Sequence, residues 1–179
     1  MARRKMVAVV RCGGGTALRE GVSRDELPEG CDRILELHPE GINACRFGCL
    51  GGGSCVAVCR KHAISIGEAG VARVDRSACV GCGLCVKACP QHLIALVPPE
   101  NAIQPACSNE DAGPVARKEC TGSCIGCGLC ERACPAGAVH VVDGHAVIDQ
   151  NACVACGMCA VTCPRGAIRD AAGIFAVRL

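Results

Sequence analysis

Apolar residues in this chain come in short pieces, not in long stripes. Met6-Val-Ala-Val-Val-Arg11 is the first piece and predicts a strand. His62-Ala-Ile-Ser-Ile, His92-Leu-Ile-Ala-Leu, Gly137-Ala-Val-His-Val and Gly166-Ala-Ile-Arg follow, rich in β-branched residues and flanked by turn formers. Val71-Ala-Arg-Val-Asp and His145-Ala-Val-Ile-Asp repeat the alternation. Pieces of this length and alternation predict the short strands of small hairpins. No stretch of 18 apolar residues occurs, so no direct membrane insertion is expected.

Composition says what must replace a large core. The 179 residues include two aromatics, Phe47 and Phe175, and no Trp or Tyr. Aromatic side chains normally supply much of the buried area. Small domains without such a core are held by disulfides or metals. The chain has 20 cysteines. Its start, Met1-Ala-Arg-Arg-Lys-Met, is basic but too briefly apolar afterwards for a secretory signal, and the Arg3-Arg4 pair lacks the apolar segment of a twin-arginine signal. A soluble, cytoplasmic location with reduced thiols is expected, where regularly spaced Cys reads as metal-binding.

The cysteines are regular. Cys79-Val-Gly-Cys82-Gly-Leu-Cys85-Val-Lys-Ala-Cys89-Pro90 is one run. Cys124-Ile-Gly-Cys127-Gly-Leu-Cys130-Glu-Arg-Ala-Cys134-Pro135 and Cys153-Val-Ala-Cys156-Gly-Met-Cys159-Ala-Val-Thr-Cys163-Pro164 are two more. Each is the C-x₂-C-x₂-C-x₃-C-P run of bacterial ferredoxins, which holds [4Fe–4S] clusters. Its last part predicts a single helical turn that the proline ends. An earlier, looser run reads Cys45-x₃-Cys49-x₅-Cys55-x₃-Cys59, with Arg60 in place of Pro. The fold expected is α+β: two tandem bacterial-ferredoxin-like modules at 43–97 and 121–179. Residues 1–42 would pack on them, and 98–120 would be a linker carrying Cys107 and Cys120.

In two-cluster ferredoxins the fourth Cys of each run ligates the other run's cluster. That rule assigns Cys45, Cys49, Cys55 and Cys89 to a first cluster and Cys79, Cys82, Cys85 and Cys59 to a second. It assigns Cys124, Cys127, Cys130 and Cys163 to a third and Cys153, Cys156, Cys159 and Cys134 to a fourth. Cys12, Cys31, Cys107 and Cys120 are left over, the number that a fifth cluster needs. Zinc is the rival for Cys₄ sites, but zinc knuckles are paired C-x₂-C motifs a dozen or more residues apart. A [4Fe–4S]²⁺ core with four thiolates carries about −2, so the formal charge of +2 does not point to nucleic acid, and no basic stripe with aromatics is present.

The features beyond ordinary ferredoxins lie in Arg11-Cys12-Gly, Cys45-Arg-Phe-Gly-Cys49-Leu-Gly-Gly-Gly-Ser-Cys55, Cys107-Ser-Asn-Glu-Asp-Ala-Gly and Arg117-Lys-Glu-Cys120-x₃-Cys124. In this order they resemble the B subunit of the Rnf complex, the ferredoxin:NAD⁺ oxidoreductase of bacterial membranes. The resemblance covers nearly the whole chain and includes the four leftover cysteines. Members of that family usually begin with a membrane anchor and a small separate cluster domain, neither of which is read here. What the resemblance implies is a soluble relay between a low-potential carrier such as ferredoxin and a flavoprotein or NAD(P)-linked redox subunit.

No catalytic constellation is visible, so the chain is read as a non-catalytic electron-transfer subunit that binds no flavin or nucleotide itself. Gly13-Gly-Gly15 and Gly51-Gly-Gly53 adjoin cysteines and follow no phosphate-loop pattern. Their backbone is expected to pack against a cluster. His62 and His92 sit in matching places after their runs and are not read as ligands. Glu26, Glu29, Glu36 and Glu40 read as a solvated face. The alternatives are a freestanding, diffusing polyferredoxin and, more remotely, a zinc-binding structural module.

Overall fold

The structure is a computed structural model and describes residues 5–171. It is a doubled unit. β1 (Val7–Val10) pairs antiparallel with β4 (Ile94–Val97), Val7 opposite Val97 and Val10 opposite Ile94. Between them β2 (Ile64–Ile66) and β3 (Ala72–Val74) form a hairpin. The order then repeats. β5 (Ile103–Pro105) pairs antiparallel with β8 (Ile168–Asp170), and β6 (Val139–Val142) and β7 (His145–Ile148) form the hairpin inside that pair. Each half therefore reads strand, cysteine run, hairpin, cysteine run, strand.

The hairpins fall where the alternating pieces predict them. β1 lies within the expected N-terminal segment, yet its partner is the last strand of the first cysteine-rich half. β5 lies in the segment expected as linker. Ile103 is 1% exposed and faces the core that Ile168 also enters, so burial and pairing with β8 make a strand of it.

Six α-helices and one short 3₁₀ helix (Arg24–Glu26) are described. Four are single turns after a glycine: α2 (Ser54–Ala57), α3 (Leu84–Lys87), α5 (Leu129–Arg132) and α6 (Met158–Thr162). Each carries a buried cysteine at its second position: Cys55, Cys85, Cys130 and Cys159. Such turns are too short to be stable alone; what they touch holds them. The longer α1 (Cys31–Leu37) and α4 (Gly113–Glu119) precede the first run of each half. The packed interior consists of two groups of cysteines and small aliphatics, one per half, and a third formed by Cys31, Ile34, Ile42 and Leu50. Glu26, Glu29, Glu36 and Glu40 lie outside all three groups. Among the described residues no helix is long and apolar enough to cross a membrane.

Candidate metal centres

The cysteine runs fold alike because their backbones do. In the three regular runs the residue two after the first cysteine is left-handed: Gly81 at φ 65°, Gly126 at 64° and Ala155 at 54°. The chain then coils into the helical turn, which carries the fourth cysteine toward the other run of its half. Four residues later the backbone turns back on that sulfur. Ala63 N–H donates to Cys59 Sγ at 3.4 Å, Leu93 N–H to Cys89 Sγ at 3.4 Å and Ala138 N–H to Cys134 Sγ at 3.3 Å. Donors of this kind favour a charged sulfur over a neutral one.

These turns gather the cysteines around cavities. Cys59 of the first run shares one with Cys79, Cys82 and Cys85 of the second. Cys163 shares another with Cys124, Cys127 and Cys130. Burial first of all pushes the Cys159 thiol up to about 11, with Cys153, Cys130 and Cys134 among the neighbouring thiols that act on it. In the first two of these groups the fourth cysteine of one run lines a cavity with three cysteines of the other.

The first run departs from expectation. Cys31, not Cys45, lines the cavity with Cys49, Cys55 and Cys89. The reason is a register that spacing alone conceals. Cys49-Leu-Gly-Gly52-Gly-Ser-Cys55-Val-Ala-Val-Cys59 matches Cys124-Ile-Gly-Cys127-Gly-Leu-Cys130-Glu-Arg-Ala-Cys134 residue for residue. Gly51 and Gly53 are left-handed, as Gly126 and Gly128 are. Gly52 therefore stands where the second cysteine belongs, and α1 brings Cys31 in to replace it. Gly30 N–H donates to the Gly52 carbonyl at 2.7 Å, and Cys31 N–H donates to Ser54 Oγ at 2.7 Å. A Cβ at position 52 would lie 2.9 Å from Cys31 N and 2.7 Å from Ile34 Cδ1, so only glycine admits the helix this close.

Cys45 goes instead to a cavity with Cys12, Cys107 and Cys120. This group lies between the halves and draws equivalent residues from each. Cys12 comes two residues after β1 and Cys107 two after β5. Cys45 precedes Cys49 by the same four residues that separate Cys120 from Cys124. The hydrogen bonds repeat too: Cys49 N–H donates to Cys12 Sγ at 3.4 Å, and Cys124 N–H to Cys107 Sγ at 3.2 Å. One partner has no counterpart. Asn109, 1% exposed, donates from Nδ2 to Cys45 Sγ at 3.2 Å. Spacing offers no signal for Asn109, whereas the Gly51-Gly-Gly53 register could have revealed Cys31.

The donor sets suit an iron–sulfur cube. Four of the sets each line one cavity. Among the described residues, no three His, Cys, Asp or Glu side chains are placed to hold a single metal ion. Burial pushes Cys55 up to about 12, helped by neighbouring Cys49, Cys31 and Cys89, and Cys45 up to about 11 despite the Phe47 and Asn109 hydrogen bonds. Thiols so placed stay protonated until a cationic core compensates them, and binding then releases the protons.

Comparison with known proteins accords with this geometry. Three family models, each described as a 4Fe-4S dicluster domain, match residues 44–93, 78–139 and 123–168. The chain is thus of the [4Fe–4S] dicluster ferredoxin class and carries several such clusters. Within that class it is a relative of the B subunits of ion-translocating ferredoxin:NAD⁺ oxidoreductases. It is 44% identical over 118 residues to the B subunit of the Na⁺-translocating complex of Acetobacterium woodii, covering 65% of this chain and 35% of that protein. It is 42% identical over 146 residues to the B subunit of the proton-translocating complex of Clostridium ljungdahlii, covering 81% and 51%. The B subunit of an ion-translocating oxidoreductase complex of Methanosarcina acetivorans is 38% identical over 141 residues, covering 79% and 53%. The chain therefore spans a third to a half of the length of these curated relatives. One solved structure, a formate dehydrogenase–heterodisulfide reductase–formylmethanofuran dehydrogenase complex of Methanospirillum hungatei, aligns with 68% of this chain and 51% of its own at 23% identity and a TM-score of 0.27. That superposition is too loose to carry an argument.

Proposed function

We propose that this chain is a non-catalytic electron-relay subunit with five [4Fe–4S] clusters, working between a low-potential carrier and a flavin- or NAD(P)-linked redox partner in the cytoplasm. The reading is supported by the order in which the cysteine groups follow one another along the two halves. Helices α2 and α3 pack together in the first half, as α5 and α6 do in the second, so the two groups within each half are neighbours. The group of Cys12, Cys45, Cys107 and Cys120 touches one group of each half through the N–H donors of Cys49 and Cys124. A continuous series results: Cys59/79/82/85, Cys31/49/55/89, Cys12/45/107/120, Cys124/127/130/163 and Cys134/153/156/159.

Each cluster, when bound, supplies one reversible electron at a potential set by hydrogen bonds, charge and exposure. The chain's own part is to hold the thiols and supply N–H donors to sulfur. The second cysteine is exposed in all three regular runs, at Cys82, Cys127 and Cys156. The inner group of the first half has its second-cysteine place taken by buried Cys31.

Anaerobic purification of the tagged chain from its native cells tests the subunit reading. A flavin-containing redox protein in stoichiometric amount is expected to accompany it. A chain that purifies alone yet fully loaded with iron overturns that reading in favour of a freestanding polyferredoxin.

A further inference from the structure

The two outermost groups are equivalent in sequence but not in charge. At the first, Arg60 and Lys61 line the same cavity as Cys82, Val80 and Leu84. Both cations are exposed. Lys87 lies two residues after Cys85 on α3. Lys5 adds to this rim: it is exposed, and the backbone of the adjacent Met6 lies against Gly81. No carboxylate lines that cavity among the described residues. At the other end the matching positions carry no charge. Pro135 and Ala136 stand in place of Arg60 and Lys61, and Val161 stands in place of Lys87. The hydrophobic centres are alike, with Val80 and Leu84 53% and 37% exposed at one end and Val154 and Met158 67% and 48% exposed at the other.

We infer that the Cys82 face is the docking surface for a small, acidic, one-electron iron–sulfur carrier protein. This rests on the electron-relay reading above and assigns the place where electrons come in. Charge complementarity selects the occupant. Every [4Fe–4S]²⁺ core with four thiolates brings about −2 to the protein that holds it, so a small carrier built around such clusters gains negative charge. At the Cys82 face the four cations Lys5, Arg60, Lys61 and Lys87 outweigh the roughly −2 of the cluster beneath them. A ring of cations around an exposed apolar centre steers such a partner, and the apolar contact seats it without a long-lived complex. In the transfer one electron leaves the reduced carrier, which is oxidised, and is accepted at the Cys59/79/82/85 group, which is reduced. No bond breaks and no proton moves.

The test uses the iron-loaded chain and an oxidised bacterial two-cluster ferredoxin of strong negative charge, with the dissociation constant measured by calorimetry at low and moderate ionic strength. The Arg60→Gln/Lys61→Gln/Lys87→Gln variant is expected to bind about tenfold more weakly at low salt and to lose most of the salt dependence. An Arg33→Gln control on α1 is expected to match the parent. Equal affinity and equal salt dependence in parent and triple variant overturn the assignment. So does binding of the parent to phosphatidylserine vesicles that the triple variant loses while its ferredoxin affinity stays unchanged, since the patch would then serve a membrane surface. Reduction by methyl viologen is measured alongside. A parent chain that binds ferredoxin but accepts no electron from either donor refutes the relay reading and leaves the docking surface standing.

Discussion

Asn109 shows how much one side chain can do beside a buried sulfur. Its amide is the sole side-chain nitrogen among the described hydrogen bonds that reaches a cysteine sulfur, and its Oδ1 accepts from Asp111 N–H at 2.7 Å. A donor to sulfur favours the more negative, reduced state of a cluster. Asn109→Leu is therefore expected to lower the midpoint potential of the Cys12/45/107/120 site by on the order of tens of millivolts with iron content unchanged. Redox titration followed by electron paramagnetic resonance reads it; an unchanged potential contradicts the role given to Asn109. Ala155 offers a different residue-scale check. It is left-handed at φ 54° where the matching runs have glycine, and a non-glycine residue there costs roughly 1–2 kcal/mol. Ala155→Gly is expected to raise the midpoint of anaerobic thermal unfolding, and a fall would refute the claim of strain.

Among the elements, α1 is the clearest case of a helix held by its task. It is seven residues long, too short to persist alone. Its fixed points are the Ile34 contact, the Gly30–Gly52 hydrogen bond and the Cys31–Ser54 hydrogen bond. Gly52→Ala forces Cβ into Cys31 N and Ile34 Cδ1. The variant is expected to lose about one cluster's worth of iron, roughly four atoms, while the other sites stay loaded. Cys31→Ser should disturb the same spectroscopic signal, and Cys45→Ser a different one. If Cys31→Ser and Cys45→Ser alter one common signal, the register proposed for the first run is wrong.

The element scale also shows what can be read from the chain beforehand. The hairpins β2–β3 and β6–β7 and the three regular runs are legible because alternation, turn residues and cysteine spacing are local. β5 is not, because three residues ending in Pro105 become a strand only through β8, more than 60 residues away. The exchange of Cys31 and Cys45 is hidden for a related reason. Cys45 sits four residues before Cys49 and imitates a run's first member, whereas the replacement ligand comes from a helix that no motif marks. The triple glycine at 51–53 looks like backbone packed on a cluster, yet its middle member stands in the place of a cysteine.

For the whole molecule, the doubling explains why 20 cysteines suffice where aromatic residues are scarce. Each half repeats one pattern, and one cysteine group at the junction takes equivalent residues from both. Arg46 of the first half also pairs with Asp111 of the second at 3.1 Å, and Arg169, Ser108 and Thr121 N–H of the second half donate to the carbonyls of Gly13, Arg11 and Gly15. A partly exposed ion pair contributes little, and the four cysteines with whatever they hold are expected to add to these hydrogen bonds as the main covalently anchored tie across the junction. The central claim is that those four form a fifth cluster site and are not leftover thiols. The most direct measurement is the iron and acid-labile sulfide content of the anaerobically reconstituted chain. About 20 iron atoms per chain are expected, and a plateau at about 16 would mean that these four cysteines hold no cluster.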